Sequence, residues 1–138
     1  TSLDLIAETE DLFIQVNSRQ FQEGQVLVVS KRHAPTLFDL TETETKQILS
    51  AAQRVGRAIA KAFEIDGILI YQNNGVASGQ EVPHFHLHVV PQRAENSRWA
   101  SAPPHVADAQ GNEFEPSEPT WLTDIQCNDI AKKIKAHL

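Results

Sequence analysis

The chain has 138 residues, 41% hydrophobic and 22% charged, which is the composition of one ordinary globular domain. Its formal net charge of −6 argues against a nucleic-acid partner, because neutralising many phosphates requires clustered Lys and Arg. The longest apolar runs are far shorter than a membrane span, and the single cysteine, Cys127, excludes an intrachain disulfide. We therefore expect a single domain over residues 1–138, located in the cytoplasm, with neither a membrane nor a nucleic acid as partner.

The first half of the chain predicts a β-hairpin followed by a long helix. Asp11–Asn17 and Gln25–Lys31 are apolar runs joined by a polar connection, so we expect them to pair as antiparallel strands. The segment that begins at Thr41 has Glu44 three residues on, which is the pattern of a capping box. Apolar residues then follow a 3.6-residue period as far as Phe63, which is typical of an amphipathic helix.

The second half predicts two more strands, a Pro-rich stretch and a last helix. Gly67–Asn73 is an apolar run, and the short loop after it favours antiparallel pairing with the next strand. Residues 93–138 are predicted as a Pro-rich loop and a C-terminal helix, which Thr123 and Gln126 would begin with a second capping box. The apolar stripe of that helix is predicted to be Ile125, Ile130, Ile134 and Leu138.

The run VPHFHLHVVP, residues 82–91, places His84, His86 and His88 at alternate positions. On a strand the three histidines project from one side and the apolar residues between them from the other. Neighbouring histidines would then stand roughly 6.6 Å apart along the strand, too far for all three to bind one metal ion. An elongated ligand, such as a chain of phosphates, fits this spacing better.

This run resembles the signature of the histidine triad family, in which three histidines alternate with apolar residues and two more apolar residues follow. The stretches LVVSKRH, QNNG and SGQEVPH and the helix between them also resemble the family in order and spacing, from Asp11 to Gln92. The resemblance implies an α+β fold with a mainly antiparallel five-stranded sheet, a long helix and a C-terminal helix, usually in a homodimer. The implied activity is hydrolysis or transfer at the α-phosphorus of dinucleoside polyphosphates or nucleoside phosphoramidates.

The resemblance also implies roles for four histidines. His86 would attack the α-phosphorus and carry the nucleotidyl group, flanked by His84 and His88, while His33 matches a further histidine of some members. Imidazole is a nucleophile at neutral pH when the attacking nitrogen is unprotonated, so the other ring nitrogen must donate to a fixed acceptor. That chemistry requires no cofactor, no bound metal is predicted, and a divalent ion could accompany a polyphosphate substrate.

The loop NNGVASGQ supplies the second half of the predicted site. Gly75 and Gly79 permit backbone conformations closed to other residues, and successive N–H groups in such a loop can bind an anion. The resemblance places Asn17 at the ribose hydroxyls and the loop residues at the phosphates. The predicted substrate-binding residues are Asn17, Asn73, Gly79, Gln80 and Glu81.

Two positions depart from the family pattern. Glu81 stands where members carry Ser or Thr, so either its carboxylate turns away from the phosphates or the leaving-group preference differs. Gln15 replaces an apolar contact to the base, which predicts a more polar or less selective base pocket.

Two alternatives from other functional classes use the same residues. A zinc-dependent hydrolase could take two ligands from a His-x-His strand and a third from His33 or Glu81. A nucleotide-binding regulatory protein could keep the pocket with little turnover. A chelator test separates the first alternative, and a substrate assay separates the second.

Overall fold

The computed structural model describes residues 4–96 and 120–138, so most of the predicted Pro-rich loop lies outside the described residues. Short 3₁₀ helices lie at Leu37–Asp39, Val76–Ser78 and Ala94–Asn96. The strands and α-helices are β1 (Leu5–Glu8), β2 (Leu12–Val16), β3 (Arg19–Gln20), β4 (Val26–Ser30), α1 (Glu42–Ala62), β5 (Gly67–Tyr71), β6 (His86–Gln92), β7 (Thr120–Trp121) and α2 (Asp124–Lys135).

Five of the strands form one antiparallel sheet in the order β1-β2-β4-β6-β5. The predicted hairpin of β2 and β4 is confirmed, and so is the antiparallel pairing of β5 with β6. β6 lies between β4 and β5, so that His86 is opposite Val29 and His88 is opposite Tyr71. The fold is therefore the α+β fold, with a five-stranded antiparallel sheet and two helices, that the resemblance implied.

Helix α1 covers one face of this sheet. The Thr41 hydroxyl accepts a hydrogen bond from the Glu44 backbone N–H while the Glu44 carboxylate accepts one from the Thr41 N–H, which confirms the capping box. The apolar stripe of the helix packs against the inward side chains of β2, β4 and β6. Its buried side chains are Ile48, Ala51, Ala52, Val55, Ala58 and Ile59.

Helix α2 begins with the predicted capping box and packs against α1 and β1. Its predicted stripe is wrong at both ends, because Ile125 is 74% exposed and Leu138 is 54% exposed. Ile125 lies five positions before Ile130, so on a helix its side chain points about 140° away from that of Ile130. The buried residues of α2 are Cys127, Ile130, Ala131 and Ile134.

No helix in residues 4–96 and 120–138 is long and apolar enough to cross a membrane.

A second, two-stranded sheet joins two distant parts of the chain. β3 pairs antiparallel with β7, so that Arg19 lies opposite Trp121 and Gln20 opposite Thr120. The backbone N–H of Leu122 donates to the carbonyl of Ser18 at 2.8 Å and extends this pairing. Neither strand was expected from the sequence.

Candidate active site

The histidine strand is shorter than the sequence predicts. β6 begins at His86, so the expectation that His84 lies on the strand is wrong. The backbone N–H of His84 donates to the Val82 carbonyl at 2.8 Å, a tight turn that comes directly before the strand. The His84 ring turns toward β4, where its Nε2 donates to the Ser30 carbonyl at 2.5 Å. His84 is therefore anchored by its ring at one end of β4.

A hydrogen bond to the His84 backbone fixes the tautomer of the His86 ring. His86 Nδ1 lies 2.7 Å from the carbonyl oxygen of His84. A carbonyl can only accept a hydrogen bond, so Nδ1 carries the proton and Nε2 of the neutral ring keeps its lone pair. This is the fixed acceptor that a nucleophilic imidazole requires. His86 is half-buried, on the sheet face opposite α1.

His88 is a neutral imidazole with a buried nitrogen that lacks a partner. Its ring stacks on Tyr71, with centroids 4.2 Å apart and planes inclined by 4°, and meets the His86 ring edge-on at 5.1 Å. Burial, with a smaller effect of His86, lowers the pKa of His88 from 6.5 to about 4. Within the described part of the chain, His88 Nδ1 has no hydrogen-bond partner. Buried polar atoms almost always have one, so this nitrogen is an exception among the described residues.

The fourth predicted histidine joins the same cluster. The His33 ring lies 5.9 Å from the His84 ring and is tilted by 46° to it. The four histidines therefore form one continuous group beside the C-terminal end of β4 and the N-terminal end of β6. They are His33, His84, His86 and His88. Among residues 4–96 and 120–138, no three His, Cys, Asp or Glu side chains are arranged to hold a metal ion. The described residues therefore offer no site for the zinc ion of the alternative hydrolase.

The glycine-rich loop has the backbone geometry that its sequence predicts. Gly75 and Gly79 both have φ of +91°, a conformation that residues with a side chain rarely adopt. The buried Gln80 side chain closes the loop, because its Oε1 accepts from the Gly75 N–H at 2.6 Å and its Nε2 donates to the Pro35 carbonyl at 2.5 Å. The amide of Gln80 thus shapes the loop from inside.

The two predicted asparagines also make local hydrogen bonds. Asn73 Nδ2 donates to the Ser78 carbonyl at 2.6 Å, across the glycine loop. Asn17 Oδ1 accepts from the Arg19 N–H at 3.1 Å, which forms a turn directly after β2. These bonds use the amide nitrogen of Asn73 and the amide oxygen of Asn17. They hold the Asn73 side chain against the glycine loop and the Asn17 side chain in the turn after β2.

Glu81 turns toward Arg19 at the rim of the loop. Its Oε2 lies 3.8 Å from Arg19 Nη1, and the Glu81 side chain is 80% exposed. An ion pair at this exposure contributes little to folding stability. The Glu81 carboxylate thus faces a cation, Arg19, at the rim of the loop.

The sheet face that carries His86 and His88 is lined with buried and half-buried apolar side chains. Residues opposite each other on antiparallel strands project to the same side, so the strand register defines two rows across this face. The first row is Phe13, Val29 and His86, and the second is Gln15, Leu27, His88 and Tyr71. A flat apolar ligand could lie on this surface, and Gln15 adds one polar group to it.

Tyr71 and Arg19 contact the predicted site residues His88 and Glu81, and neither was predicted from the sequence. Tyr71 stacks on His88 only because β5 pairs with β6 in one particular register. The position of Tyr71 at the end of an apolar run, two residues before Asn73, is a signal that could have indicated it. Arg19 has no comparable local signal, because its neighbours Glu81 and Trp121 are distant in the chain.

Comparison with known proteins identifies the family to which this fold belongs. The sequence model of the HIT domain matches residues 2–95, and the chain belongs to the HIT (histidine triad) family. The Protein hit of Bacillus subtilis is 32% identical over 129 residues, which are 94% of this chain and 83% of that protein. A crystal structure of a Hit-like protein involved in cell-cycle regulation from Bartonella henselae has a TM-score of 0.77 at 27% identity, and covers 98% of this chain and 86% of that chain.

Two named enzymes are also similar to the chain. The bis(5′-adenosyl)-triphosphatase of Dictyostelium discoideum is 34% identical over 90 residues, 65% of this chain and 60% of that enzyme. The adenosine 5′-monophosphoramidase of Saccharomyces cerevisiae is 32% identical over 92 residues, 67% of this chain and 56% of that enzyme. The chain thus spans less than two thirds of both enzymes, and it is a member of a family that contains nucleotide hydrolases.

Proposed function

We propose that the protein is a HIT-type hydrolase that cleaves nucleoside 5′-phosphate conjugates at the α-phosphorus through a nucleotidyl-His86 intermediate. The observation that carries the proposal is the 2.7 Å hydrogen bond from His86 Nδ1 to the His84 carbonyl, which leaves Nε2 as the nucleophile. The similarity to a triphosphatase and a monophosphoramidase supports dinucleoside polyphosphates and nucleoside phosphoramidates as substrates.

In the first step His86 displaces the leaving group. The Nε2 lone pair attacks the α-phosphorus and forms a P–N bond, while the bond from phosphorus to the leaving oxygen or nitrogen breaks and its electron pair departs with that atom. A polyphosphate leaves as an anion, whereas an amine takes a proton from the surrounding water. The ring becomes positively charged, and the Nδ1–H bond to the His84 carbonyl stabilises that charge.

In the second step water releases the product. The water oxygen attacks the α-phosphorus, the P–N bond breaks with its electron pair returning to His86 Nε2, and the proton of the water passes to solvent. The products are a nucleoside 5′-monophosphate and the unmodified protein, still hydrogen-bonded from His86 Nδ1 to the His84 carbonyl. His84 is thus a positioning residue, because its ring is anchored on Ser30 and its backbone oxygen orients His86.

His88 holds the phosphoryl oxygens in this proposal. Its ring meets the His86 ring edge-on, with centroids 5.1 Å apart, so the neutral imidazole can donate a hydrogen bond to a non-bridging oxygen of the group that His86 attacks. The lowered pKa, about 4, keeps the ring neutral, and a neutral donor satisfies the oxygen without a fixed charge. The base then lies on the row of Leu27 and Gln15, with Asn17 at the ribose.

We include a homodimer and a cytoplasmic location in the proposal. β5 is the edge of the sheet, and its Ile68 and Ile70 side chains are 36% and 47% exposed. An exposed apolar edge strand is an unfavourable surface unless another chain covers it. Sedimentation equilibrium at micromolar concentration should give twice the mass of one chain, and Ile70→Lys should lower it. A single-chain mass for the unmodified protein would contradict the dimer.

Turnover of two substrates by two matched variants tests the function. In His86→Asn the amide nitrogen can still donate to the His84 carbonyl, but no nucleophilic nitrogen remains, so kcat on diadenosine triphosphate and on adenosine 5′-phosphoramidate should fall by about 10³-fold or more. His137→Asn, at an exposed histidine of the C-terminal end, should change neither rate.

Three results, from this assay, from a chelator experiment and from a nucleotide-binding measurement, would contradict the proposal in different ways. Near-normal turnover by His86→Asn removes His86 as the nucleophile. Loss of phosphoramidate turnover in a chelator, restored by zinc, establishes the metalloenzyme instead. Tight nucleotide binding by the unmodified protein without turnover of either substrate establishes a regulatory binding protein.

A further inference from the structure

The small sheet of β3 and β7 presents a positive charge beside an exposed indole. Arg19 and Trp121 are opposite each other in this sheet, so their side chains project to the same side. The Arg19 guanidinium carbon lies 5.9 Å from the centroid of the Trp121 ring and 5.7 Å from that of the Phe21 ring. Trp121 is 69% exposed. Together they offer a flat aromatic surface and a cation, which suit an anion that carries an aromatic base.

Arg19 connects this surface with the proposed active site. Its backbone N–H donates to Asn17 Oδ1 at 3.1 Å, and its Nη1 lies 3.8 Å from Glu81 Oε2. Asn17 follows β2, and Glu81 follows directly on the glycine loop. The Arg19 side chain therefore extends from the start of β3 to the end of the loop that is proposed to bind phosphate.

The Arg19 guanidinium makes only weak polar contacts with the described residues around it. The distance of 3.8 Å to Glu81 is longer than a hydrogen bond, and the carboxylate is largely in water. Arg19 Nε is buried and makes no hydrogen bond among the described residues. A phosphate or sulfate group forms shorter, charge-assisted hydrogen bonds with a guanidinium, so such an anion can replace Glu81 at Arg19.

We propose that Arg19 and Trp121 form a leaving-group subsite for a nucleoside diphosphate, so that dinucleoside polyphosphates are the preferred substrates. Arg19 binds the phosphate next to the scissile bond, Trp121 stacks on the departing base, and Glu81 is displaced from Arg19 when the substrate binds. This subsite rests on the proposed hydrolysis at the α-phosphorus and names its substrate class.

Three substrates with one adenosine 5′-phosphoryl group and different leaving groups test the subsite. Adenosine 5′-phosphoramidate releases a small amine, adenosine 5′-phosphosulfate releases an anion without a base, and diadenosine triphosphate releases an anion with a base. Arg19→Gln should lower kcat/KM about tenfold for the two anionic leaving groups and leave the phosphoramidate within about twofold. Trp121→Ala should lower kcat/KM about fivefold or more for diadenosine triphosphate alone.

Two further variants serve as control and as counter-test. Arg57→Gln removes an exposed arginine from α1 and should change none of the three substrates. Glu81→Gln removes the competing carboxylate, so it should raise kcat/KM more for the two anionic leaving groups than for the phosphoramidate. This variant keeps the test informative if Arg19→Gln is poorly folded.

The results that overturn the subsite differ from those that overturn the hydrolase. Equal losses on all three substrates in Arg19→Gln, or no loss on any of them, remove Arg19 from leaving-group recognition. A Glu81→Gln variant that responds alike to all three substrates does the same. In these experiments the hydrolase itself fails when the unmodified protein turns over none of the three substrates.

Discussion

The two faces of β6 are held in place by different kinds of contact. On one face Leu87 and Val89 are 7% and 0% exposed and belong to the core beneath α1. On the other face His86 is oriented by one hydrogen bond and His88 by one stacked ring, that of Tyr71. Packing determines the first face, whereas directional contacts that leave nitrogen atoms for a ligand determine the second. Stability and chemistry should therefore respond separately to substitutions only one residue apart.

Leu87→Ala is the substitution that should separate them most clearly. Removal of this buried side chain should lower the free energy of unfolding by about 2–5 kcal/mol, measured by urea denaturation. The folded variant should keep kcat within a few-fold, because the bond from His86 to the His84 carbonyl is unchanged. Leu49→Ala, at a leucine of α1 that is 57% exposed, is the matched control and should change stability little. A collapse of kcat in folded Leu87→Ala would show that the two faces are coupled.

Gly75→Ala extends the comparison to the loop beside the polar face. An added Cβ would meet no atom within 4 Å, so its cost comes from the backbone, which has φ of +91°. We expect a loss of about 1–3 kcal/mol of stability and a higher KM, because the Gly75 N–H is moved from Gln80. Gly67→Ala, where a Cβ also meets nothing within 4 Å, should be nearly neutral. Equal melting temperatures for the two variants would show that a side chain at position 75 causes no backbone strain.

The pH dependence of stability should show the smallest effect, and it concerns His88. Its pKa is lowered from 6.5 to about 4, so between these values the unfolded chain binds more protons than the folded one. Stability should therefore fall as the pH is lowered from 6.5 to 4, and this contribution should be constant above 6.5. The comparison of melting temperatures between the unmodified protein and His88→Gln measures it. An identical pH profile for both proteins would mean that His88 titrates normally.

Local patterns in the sequence were sufficient to predict the helices and the central strands. The capping boxes that begin with Thr41 and Thr123 involve contacts within four residues, and both form as predicted. The hairpin of β2 and β4 follows from two apolar runs with a short polar connection. β1 was missed because only Ile6 of its four residues is buried, so the strand shows no alternation to detect.

Contacts between distant parts of the chain could not be predicted in the same way. The pairing of Arg19 with Trp121 has no local pattern, since each strand of that sheet contains two residues. The alternating histidines predicted a continuous strand, but the turn centred on Pro83 comes before it, and the strand begins only at His86. His84, the residue that was wrongly placed on the strand, supplies the carbonyl that accepts from His86 Nδ1 and so orients the proposed nucleophile.

Covalent chemistry at His86 is tested most directly by mapping the nucleotide that the protein carries during turnover. The unmodified protein should be quenched with base during steady-state turnover of a labelled substrate, digested and analysed by mass spectrometry. We expect an acid-labile nucleotidyl adduct on the peptide that contains His86, localised to that residue by fragmentation and absent in His86→Asn. An adduct on any other residue, or turnover without an adduct in rapid-quench experiments, would contradict the mechanism.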